Sequence, residues 1–285
     1  MTHEILLIDA MRGMAGLANG TVDMIFSDPA YSSLEKWRNM GTTTRLKKST
    51  QSSNAWFPTV SNDYFDAFFH ECYRVLRSGT DMYVMCDEET SEAIKPKIRN
   101  AGFQLRKSIV WWKVGKEVEV PCSDCGNVLT HTNKPGVPGM GYPFRSCWEF
   151  ILIGRKGKRR KPEDLSVRNV QPIPIEDDDF HNGVVVVPWI KRKGAYPTEK
   201  PVELIEVCIK QSSVEGELVL DPFAGSGSTG EAAFNLGREF LGFDVEQDAL
   251  DYFESRKARW GDALAIPRPI TNGRPGIIDF FGKKP

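Results

Sequence analysis

Short apolar runs that end at polar, turn-forming residues recur along the chain and predict buried strands. Residues 4–8 (EILLI) end at an aspartate, and residues 22–26 (VDMIF) end at a Ser-Asp-Pro turn. The segment between them, MRGMAGLANG, has the apolar spacing of a short helix closed by an Asn-Gly pair. A strand, a helix and a second strand in this order are typical of the beginning of a parallel sheet.

The same patterns predict further elements along most of the chain. Additional strands are predicted at 81–86, 108–112, 148–153, 217–220 and 239–243. Helices are predicted at 62–77, with Asn62 or Asp63 as cap, at 88–101, where Pro96 bends or begins the helix, at 201–211, at 225–236 and from the last strand to about 260. Seven strands that alternate with helices predict an α/β sheet domain.

Two stretches, 114–146 and 155–196, lose this periodicity and are rich in Gly, Pro and charge. We therefore expect four parts in the chain. Residues 1–113 and 197–261 form the two halves of the sheet domain. Residues 114–196 form an inserted irregular lobe, in which 147–154 is a core strand, and residues 262–285 form a tail.

Composition and charge exclude several classes of protein. With 40% hydrophobic and 26% charged residues, the chain has the composition of an ordinary globular protein. Its net charge of −1 excludes a uniformly basic protein that coats nucleic acid, but it does not exclude a local basic patch. No run approaches the roughly 20 apolar residues of a membrane span. The N-terminal residues lack the basic region of a signal peptide. Cys72, Cys86 and Cys208 lie in apolar stretches and are expected to be buried thiols, which favours a cytoplasmic location.

A glycine-rich turn follows the strand at 217–220. Residues 218–230 read LVLDPFAGSGSTG, so a strand runs into a turn and then into a helix. Glycines at such a turn let the backbone approach a ligand closely. Asp244, at the end of the next strand, can accept hydrogen bonds from both ribose hydroxyls of an adenosine. The pattern fits a turn without ligand, a dinucleotide such as NAD or FAD, or S-adenosylmethionine.

The position of this turn in the sequence favours S-adenosylmethionine over a dinucleotide. A dinucleotide needs a second mononucleotide-binding half, which normally follows the first. The sequence ends soon after Asp244, so we expect the rest of the sheet to come from the N-terminal side. The Asp221-Pro222-Phe223 stretch also differs from the usual dinucleotide turn.

The turn Ser27-Asp28-Pro29-Ala30-Tyr31 ends the second strand, where ligands of open α/β sheets bind. The exocyclic amine of a base is a poor nucleophile, because its lone pair is delocalised into the ring. The Asp28 carboxylate and the Pro29 carbonyl are acceptors for its two N–H bonds and would localise that pair. Tyr31 offers a flat face for a base pulled out of the stack. An ordinary turn, with Tyr31 in the core, is the alternative.

Together, and in this order, the two turns resemble those of the beta-class DNA amino-methyltransferases, whose catalytic motif precedes the cofactor motif. SDPAY is similar to their D/N/S-P-P-Y motif, LDPFAGSGST to their cofactor loop, and YPTEKPVELIE to the H-P-T-x-K-P-x-x-L segment upstream of that loop. ECYRVLRSG, IVWWK and SCWEFILIGRKG resemble the helix and strands between. The resemblance covers residues 1–113 and 147–261.

The resemblance implies a fold, a reaction and a site. The fold is a Rossmann-like, mostly parallel α/β sheet of seven strands with one strand reversed, a circularly permuted motif order and an inserted target-recognition lobe. The reaction is methyl transfer from S-adenosylmethionine to N6 of an adenine flipped out of DNA. The resemblance carries catalysis onto Asp28, Pro29 and Tyr31. It carries cofactor contacts onto Asp9, Asp28, Thr198, Lys200, Asp221, Phe223, Ala224, Gly225, Ser226, Gly227 and Asp244, with Lys200 at the carboxylate end.

Two positions depart from the family pattern. Ala30 stands where proline is usual and leaves the turn freer, and Tyr196 stands where histidine is common. Asp28 favours adenine, because members that modify N4 of cytosine more often carry serine there. Cytosine N4 therefore stays open as a target. A protein-glutamine methyltransferase, which Asp28 and the motif order oppose, and a DNA-binding relative inactivated through Ala30 are further alternatives.

A basic window at the beginning of the second irregular stretch, 155–196, predicts contacts with DNA phosphates. The cations of this window are Arg155, Lys156, Lys158, Arg159, Arg160 and Lys161. The alternative is a solvated charge run neutralised by the acidic residues at 176–179.

Three further features lead to additional hypotheses. Cys122 and Cys125 have the spacing of half a zinc knuckle, but His131 and Cys147 complete no regular site, so free thiols are favoured and no metal is predicted. The tail residues Ile277, Phe280 and Phe281 are spaced as in sliding-clamp-binding peptides, although a tail that packs on its own domain is commoner. A homodimer is compatible with the sequence.

Overall fold

A computed structural model describes residues 2–31, 60–61, 63–114, 118–121, 128–131, 148–160, 184–188, 196 and 199–260. The strands are β1 (His3–Leu7), β2 (Met24–Ser27), β3 (Asp81–Cys86), β4 (Gln104–Leu105), β5 (Ile109–Val114), β6 (Val118–Pro121), β7 (Val128–His131), β8 (Trp148–Arg155), β9 (Val184–Pro188), β10 (Leu218–Asp221) and β11 (Glu239–Asp244). The helices are α1 (Ala10–Ala15), α2 (Tyr64–Val75), α3 (Glu88–Asn100), α4 (Val202–Ser212), α5 (Ser228–Asn235) and α6 (Gln247–Lys257).

One twisted sheet organises the described part of the chain. Its strands lie in the order β1-β11-β10-β2-β3-β8-β5-β9, and the two-residue β4 pairs with β8. Only β8 runs against the others, because it is antiparallel to both β3 and β5 while every other pairing along this order is parallel. The predicted α/β, Rossmann-like sheet with one reversed strand is therefore confirmed. The strand order is permuted, since the early strand β2 lies beside the late strand β10.

The sheet has more strands than the seven that the sequence predicts. The additional strands are β4 and β9, and β9 extends the sheet in parallel with β5. Residues 184–187 are four valines, whose branched side chains suit a pleated surface, but charged runs on both sides hide the signal. An antiparallel hairpin of β6 and β7 also lies in the stretch predicted to be irregular. The irregular prediction is wrong at these strands, whereas the division into four parts remains a prediction.

Helices cover both faces of the sheet because each presents an apolar stripe to it. In α2, Phe65, Phe68, Phe69 and Cys72 recur at helical spacing and are fully buried in a cluster shared with α1 and α3. On the other face α4, α5 and α6 bury a second cluster around Leu204, whose neighbours include side chains of β2 and β10. The predicted burial of Cys72, Cys86 and Cys208 is confirmed. Among the described helices none is long and apolar enough to span a bilayer.

Two details of the helix ends differ from the sequence-based expectation. Pro96 lies inside α3, at an exposed position of a helix that begins at Glu88, so it does not start the helix. The start is fixed instead by Asp87, whose carboxylate accepts a hydrogen bond from Thr90 N–H at 2.8 Å. Asp63 precedes α2 without a side-chain cap, and Asn62 lies outside the described residues.

Candidate active site

The two turns singled out in the sequence meet at one edge of the sheet. Strands β2 and β10 are direct parallel neighbours, with Leu220 opposite Ile25. Both strands therefore end at the same edge, where Asp221 follows Leu220 and Asp28 follows β2. The carboxyl ends of parallel strands are where open α/β sheets form ligand sites.

A cleft opens between these two turns. Its lining residues combine two carboxylates, one ammonium group, three aromatic rings and small buried hydroxyls. They are Phe26, Asp28, Tyr196, Lys200, Ile205, Asp221, Phe223, Ala224, Gly225, Ser226, Ser228 and Thr229.

Hydrogen bonds from neighbouring elements fix the glycine turn between β10 and α5. Gly225 N–H donates to Asp244 Oδ2 at 2.8 Å, and Glu246 N–H donates to Asp244 Oδ1 at 2.9 Å. Gly225 has φ +49°, and Gly227, directly before α5, has φ +72°, a region in which glycine carries no steric cost. Asp244 therefore ties the end of β11 to the turn, and each of its oxygens keeps a second lone pair for a ligand.

Asp221 is buried at the base of the cleft. It accepts hydrogen bonds from Thr229 Oγ1 at 2.6 Å and from Phe223 N–H at 3.1 Å. Burial raises the pKa of Asp221 to about 7, aided by the negative charges of Asp28 and Asp244 and opposed by the two hydrogen bonds. A carboxyl group with this pKa exchanges its proton near neutral pH, although its role in the fold is to hold the start of α5.

Lys200 and Asp28 form an ion pair inside the cleft. The Nζ atom of Lys200 contacts Asp28 Oδ2, and the two side chains are 13% and 24% exposed. Burial lowers the pKa of Lys200, but the charges of Asp28 and Glu149, the hydrogen bond to Asp28 and the charge of Asp221 outweigh it, so the pKa is raised. The lysine therefore stays protonated and balances the carboxylates around it.

The segment that carries Lys200 is anchored to α6 by residues that the sequence did not single out. Arg256 Nη1 donates to Glu199 Oε1 at 2.6 Å, and both side chains are almost completely buried. Tyr252 donates to the other oxygen of Glu199 at 3.1 Å, and its ring lies 5.3 Å from that of Tyr196. Glu199 lies within the quoted YPTEKP motif, but no local signal points to Arg256, which pairs with it across 57 positions.

Other predicted site residues lie away from the cleft lining or outside the described residues. The Asp9 carboxylate caps α1, accepting from Met11 N–H at 3.0 Å and Arg12 N–H at 3.3 Å. Tyr31 is buried, at 6% exposure, in the core cluster under α2, whereas a stacking platform needs an open ring face. Thr198 lies outside the described residues. The binding and catalytic roles of these residues remain predictions.

Intramolecular partners of three cations in the basic window oppose the prediction that these residues bind phosphates, which remains a prediction. Arg155 Nε donates to Asp81 Oδ1 at 2.7 Å, and both side chains are buried. Lys156 donates to backbone carbonyls near the end of α2, with Nζ 2.7 Å from the Leu76 oxygen. Arg160 donates to Glu217 Oε2 at 2.9 Å.

The location of the window opposes the prediction as well. Arg155 pairs with Asp81, the first residue of β3, so the window lies at the amino ends of the parallel strands, opposite the cleft. Lys158 and Arg159 are exposed at that edge, and Lys161 lies outside the described residues.

The remaining candidates concern metal and tail residues. Within the described residues no group of three or more His, Cys, Asp or Glu side chains is placed to hold a metal ion. Cys122, Cys125 and Cys147 lie outside those residues, as does the side chain of His131. The tail residues Ile277, Phe280 and Phe281 also lie outside them.

Comparison with known proteins agrees with this architecture. A family model named N6_N4_Mtase and described as DNA methylase matches residues 22–255. DNA adenine methyltransferase YhdJ of Escherichia coli (strain K12) is 28% identical over 247 residues, which is 85% of this chain and 78% of that protein. Type II methyltransferase M2.DpnII of Streptococcus pneumoniae is 24% identical over 260 residues, 89% of this chain and 90% of that protein.

Solved structures share the fold. TTHA0409 of Thermus thermophilus, described as a candidate DNA modification methylase and crystallised in complex with S-adenosyl-L-methionine, has a TM-score of 0.60 at 22% identity, over 91% of this chain and 94% of that one. Because the family model matches most of the chain, the chain belongs to the N6/N4 DNA methylase family.

Proposed function

We propose that this protein transfers a methyl group from S-adenosylmethionine to the N6 amine of adenine in DNA. The observation that carries the proposal is the adjacency of β2 and β10, which places Asp28 and the glycine turn on the same cleft. Membership of the DNA methylase family supports the reaction class.

The residues of the cleft fit S-adenosylmethionine. An added Cβ on Gly225 would lie 3.7 Å from the Tyr196 ring, so this glycine leaves room at the turn for a ligand to pass close to the backbone. Asp244 is not part of the cleft lining but holds Gly225 of that lining, and it offers lone pairs for ribose hydroxyls. Lys200 offers a cation for the ligand's carboxylate. When bound, S-adenosylmethionine supplies an electrophilic methyl group on a sulfonium centre.

The protein's part in the reaction is to make an amine nucleophilic. Asp28, which lines the cleft, accepts one N–H of the exocyclic amine, and the Pro29 carbonyl accepts the other. Both acceptors withdraw the N–H bonds from the plane of conjugation, so the nitrogen lone pair points at the methyl group. Positioned acceptors of this kind contribute roughly 10²–10⁴-fold to a rate.

Adenine is the preferred base for two reasons. Asp28 stands at a position where serine is more usual among N4-cytosine enzymes of this family. The Escherichia coli relative at 28% identity is a DNA adenine methyltransferase. The family itself includes both amino targets, so the identity of the base is the part of the proposal that needs a direct test.

DNA approaches the carboxyl edge of the sheet in this proposal, because the flipped base has to reach Asp28. Lys158 and Arg159 lie at the opposite edge and are not assigned to the DNA interface. A homodimer and a clamp-binding tail at Ile277, Phe280 and Phe281 remain additional hypotheses, as does action in the cytoplasm of a bacterium or a phage-infected cell.

The test is identification of the methylated base. The purified protein is incubated with unmodified genomic DNA and S-adenosylmethionine labelled in the methyl group, and the DNA is digested to nucleosides and separated. We expect the label in N6-methyldeoxyadenosine. Label in N4-methyldeoxycytidine would replace adenine with cytosine, and an unlabelled nucleoside pool with labelled protein would favour a protein methyltransferase.

A further inference from the structure

Lys200 is held where its ammonium group can interact with more than one carboxylate. Its backbone precedes α4, and the neighbouring Glu199 is locked by the buried Arg256 and Tyr252 on α6. From this fixed base the side chain extends into the cleft, with its ammonium group on Asp28 and with Glu149 and Asp221 near enough to act on its charge. The position of Lys200 is therefore fixed by its anchored backbone, while its ammonium group faces several carboxyl groups.

This contact conflicts with the role proposed for Asp28. A carboxylate that is paired with an ammonium group is a weaker acceptor for the N–H of a neutral amine, because the positive charge draws its electron density. The Asp28–Lys200 pair is only partly exposed, so water screens it less than a surface pair. An enzyme with Lys200 fixed on Asp28 would therefore be poorly arranged to activate a base.

The bound cofactor carries a competing anion in the same cleft. One cavity is lined by the turn of residues 223–226 and by Lys200. The carboxylate of a ligand bound at that turn is therefore within reach of the Lys200 side chain. An ammonium group has three donors on a flexible four-carbon stem and re-pairs easily.

We infer that Lys200 is a positioning residue that moves between two carboxylates. In the free protein it pairs with Asp28, and in the cofactor complex it pairs with the carboxylate of the cofactor. Cofactor binding thereby releases Asp28 to accept the amine of the flipped base, so the cofactor binds productively before the base. This inference rests on the proposed function and adds an order of events to it.

The simplest competing explanation is electrostatic and needs no exchange. Asp28 would repel the cofactor's carboxylate directly, whatever Lys200 does. The two explanations differ in whether the effect of Asp28 on binding depends on the lysine, and a double-mutant cycle measures that dependence.

The experiment measures the affinity for S-adenosylhomocysteine by isothermal titration in the wild type, D28N, K200Q and the double variant. This ligand has no sulfonium charge, and any attraction between its α-ammonium group and Asp28 is present both with and without Lys200, so the double-mutant cycle isolates the dependence on the lysine. We expect D28N to bind about five- to tenfold more tightly than the wild type, because the ammonium group of Lys200 no longer forms an ion pair with residue 28. We expect K200Q to bind about tenfold more weakly, and D28N in the K200Q background to change binding by less than about twofold.

Two controls separate the exchange from general damage to the fold. 5′-Methylthioadenosine lacks the amino-acid part of the ligand, so D28N should leave its affinity within about twofold. Lys210 lies on α4 with a 53% exposed side chain, so K210Q removes a lysine charge outside the cleft and should match the wild type with either ligand. Thermal unfolding checks that each variant is folded, and K200M replaces K200Q if the glutamine variant is unfolded.

The outcomes are distinct. Tighter binding by D28N that persists in the K200Q background overturns the exchange in favour of direct repulsion. Unchanged or weaker binding by D28N overturns it as well. A wild-type protein that binds neither S-adenosylhomocysteine nor S-adenosylmethionine contradicts the proposed function itself. Binding of both ligands without coupling between Asp28 and Lys200 contradicts the exchange alone.

Discussion

Charge balance inside the cleft is decided by single residues. The hydrogen-bond donors described for Asp221 are both neutral. They are the hydroxyl group of Thr229 and the backbone N–H of Phe223. Neutral donors compensate a buried negative charge less well than a cation does. Burial is therefore the largest influence on the pKa of Asp221. This explains why the pKa of Asp221 is raised to about 7, whereas Lys200 beside Asp28 remains charged.

The first prediction concerns the pH dependence of stability. The folded protein keeps a proton on Asp221 up to about pH 7, and the unfolded chain loses it near the ordinary pKa of 3.8. The folded state therefore binds more protons in this window, so the free energy of unfolding falls as the pH rises from about 4 to 7, by at most about 1.4 kcal/mol per pH unit for one proton. Urea unfolding at pH 5 and pH 7 should show a smaller fall in D221N than in the wild type.

A matched substitution separates Asp221 from the other carboxylates. Asp248 is exposed in the first turn of α6, so D248N should follow the wild-type pH dependence. If the free energy of unfolding fell equally between pH 5 and pH 7 in the wild type and in D221N, Asp221 would be ionised over this range. That result would refute the buried neutral carboxyl group.

At the scale of elements, the start of α5 depends on close packing as well as on backbone shape. Gly227 lies at φ +72°, and an added Cβ would clash with the Phe253 ring. Gly216 lies at a similar φ of +81°, but an added Cβ there meets nothing within 4 Å. Both glycines have a positive φ, but only at Gly227 does a neighbouring side chain occupy the space that a Cβ would need.

The second prediction uses this pair of glycines. G216A should lower the free energy of unfolding by about 1–2 kcal/mol, the cost of a Cβ in the left-handed region. G227A should lower it by about 3 kcal/mol or more, because Phe253 of α6 must move from the core as well. Urea unfolding curves measure both, and equal losses in the two variants would mean that the α5–α6 contact is looser than described.

Elements differ in how far the sequence predicts them. The strands β2, β3, β8, β10 and β11 come from apolar runs bounded by turn residues, a signal that depends only on local burial. Strand β9 is a valine run between charged stretches, and its place beside β5 depends on a long-range pairing that no local pattern reports. The same limit applies to Arg155, since its partner Asp81 is 74 positions away and a local view sees only a basic window.

At the scale of the whole molecule, the sheet separates two chemically different edges. The carboxyl ends of β2 and β10 hold the cleft, and the amino end of β3 faces the exposed Lys158 and Arg159. The site was predictable to this extent because parallel strands end at one edge, so two turns distant in sequence had to meet. Which carboxylate Lys200 contacts was not predictable, because several anions lie within the range of one flexible side chain.

The third prediction tests the assignment of the edges. Binding of duplex DNA is measured at several salt concentrations for the wild type and for a K158Q/R159Q variant. Since these cations face away from the cleft, the slope of log affinity against log salt should stay the same. A loss of about 0.9 in slope for each residue would return them to the phosphate interface.

In the proposed function the turn after β2 and the turn after β10 form one methyl-transfer site, with Asp28 acting on the amine. This proposal is tested most directly by single-turnover methyl transfer to DNA with the wild type and D28N, at S-adenosylmethionine concentrations that saturate each protein by titration. We expect D28N still to bind the cofactor but to transfer the methyl group at least about 10²-fold more slowly. Transfer by D28N at a rate close to that of the wild type would contradict the proposal.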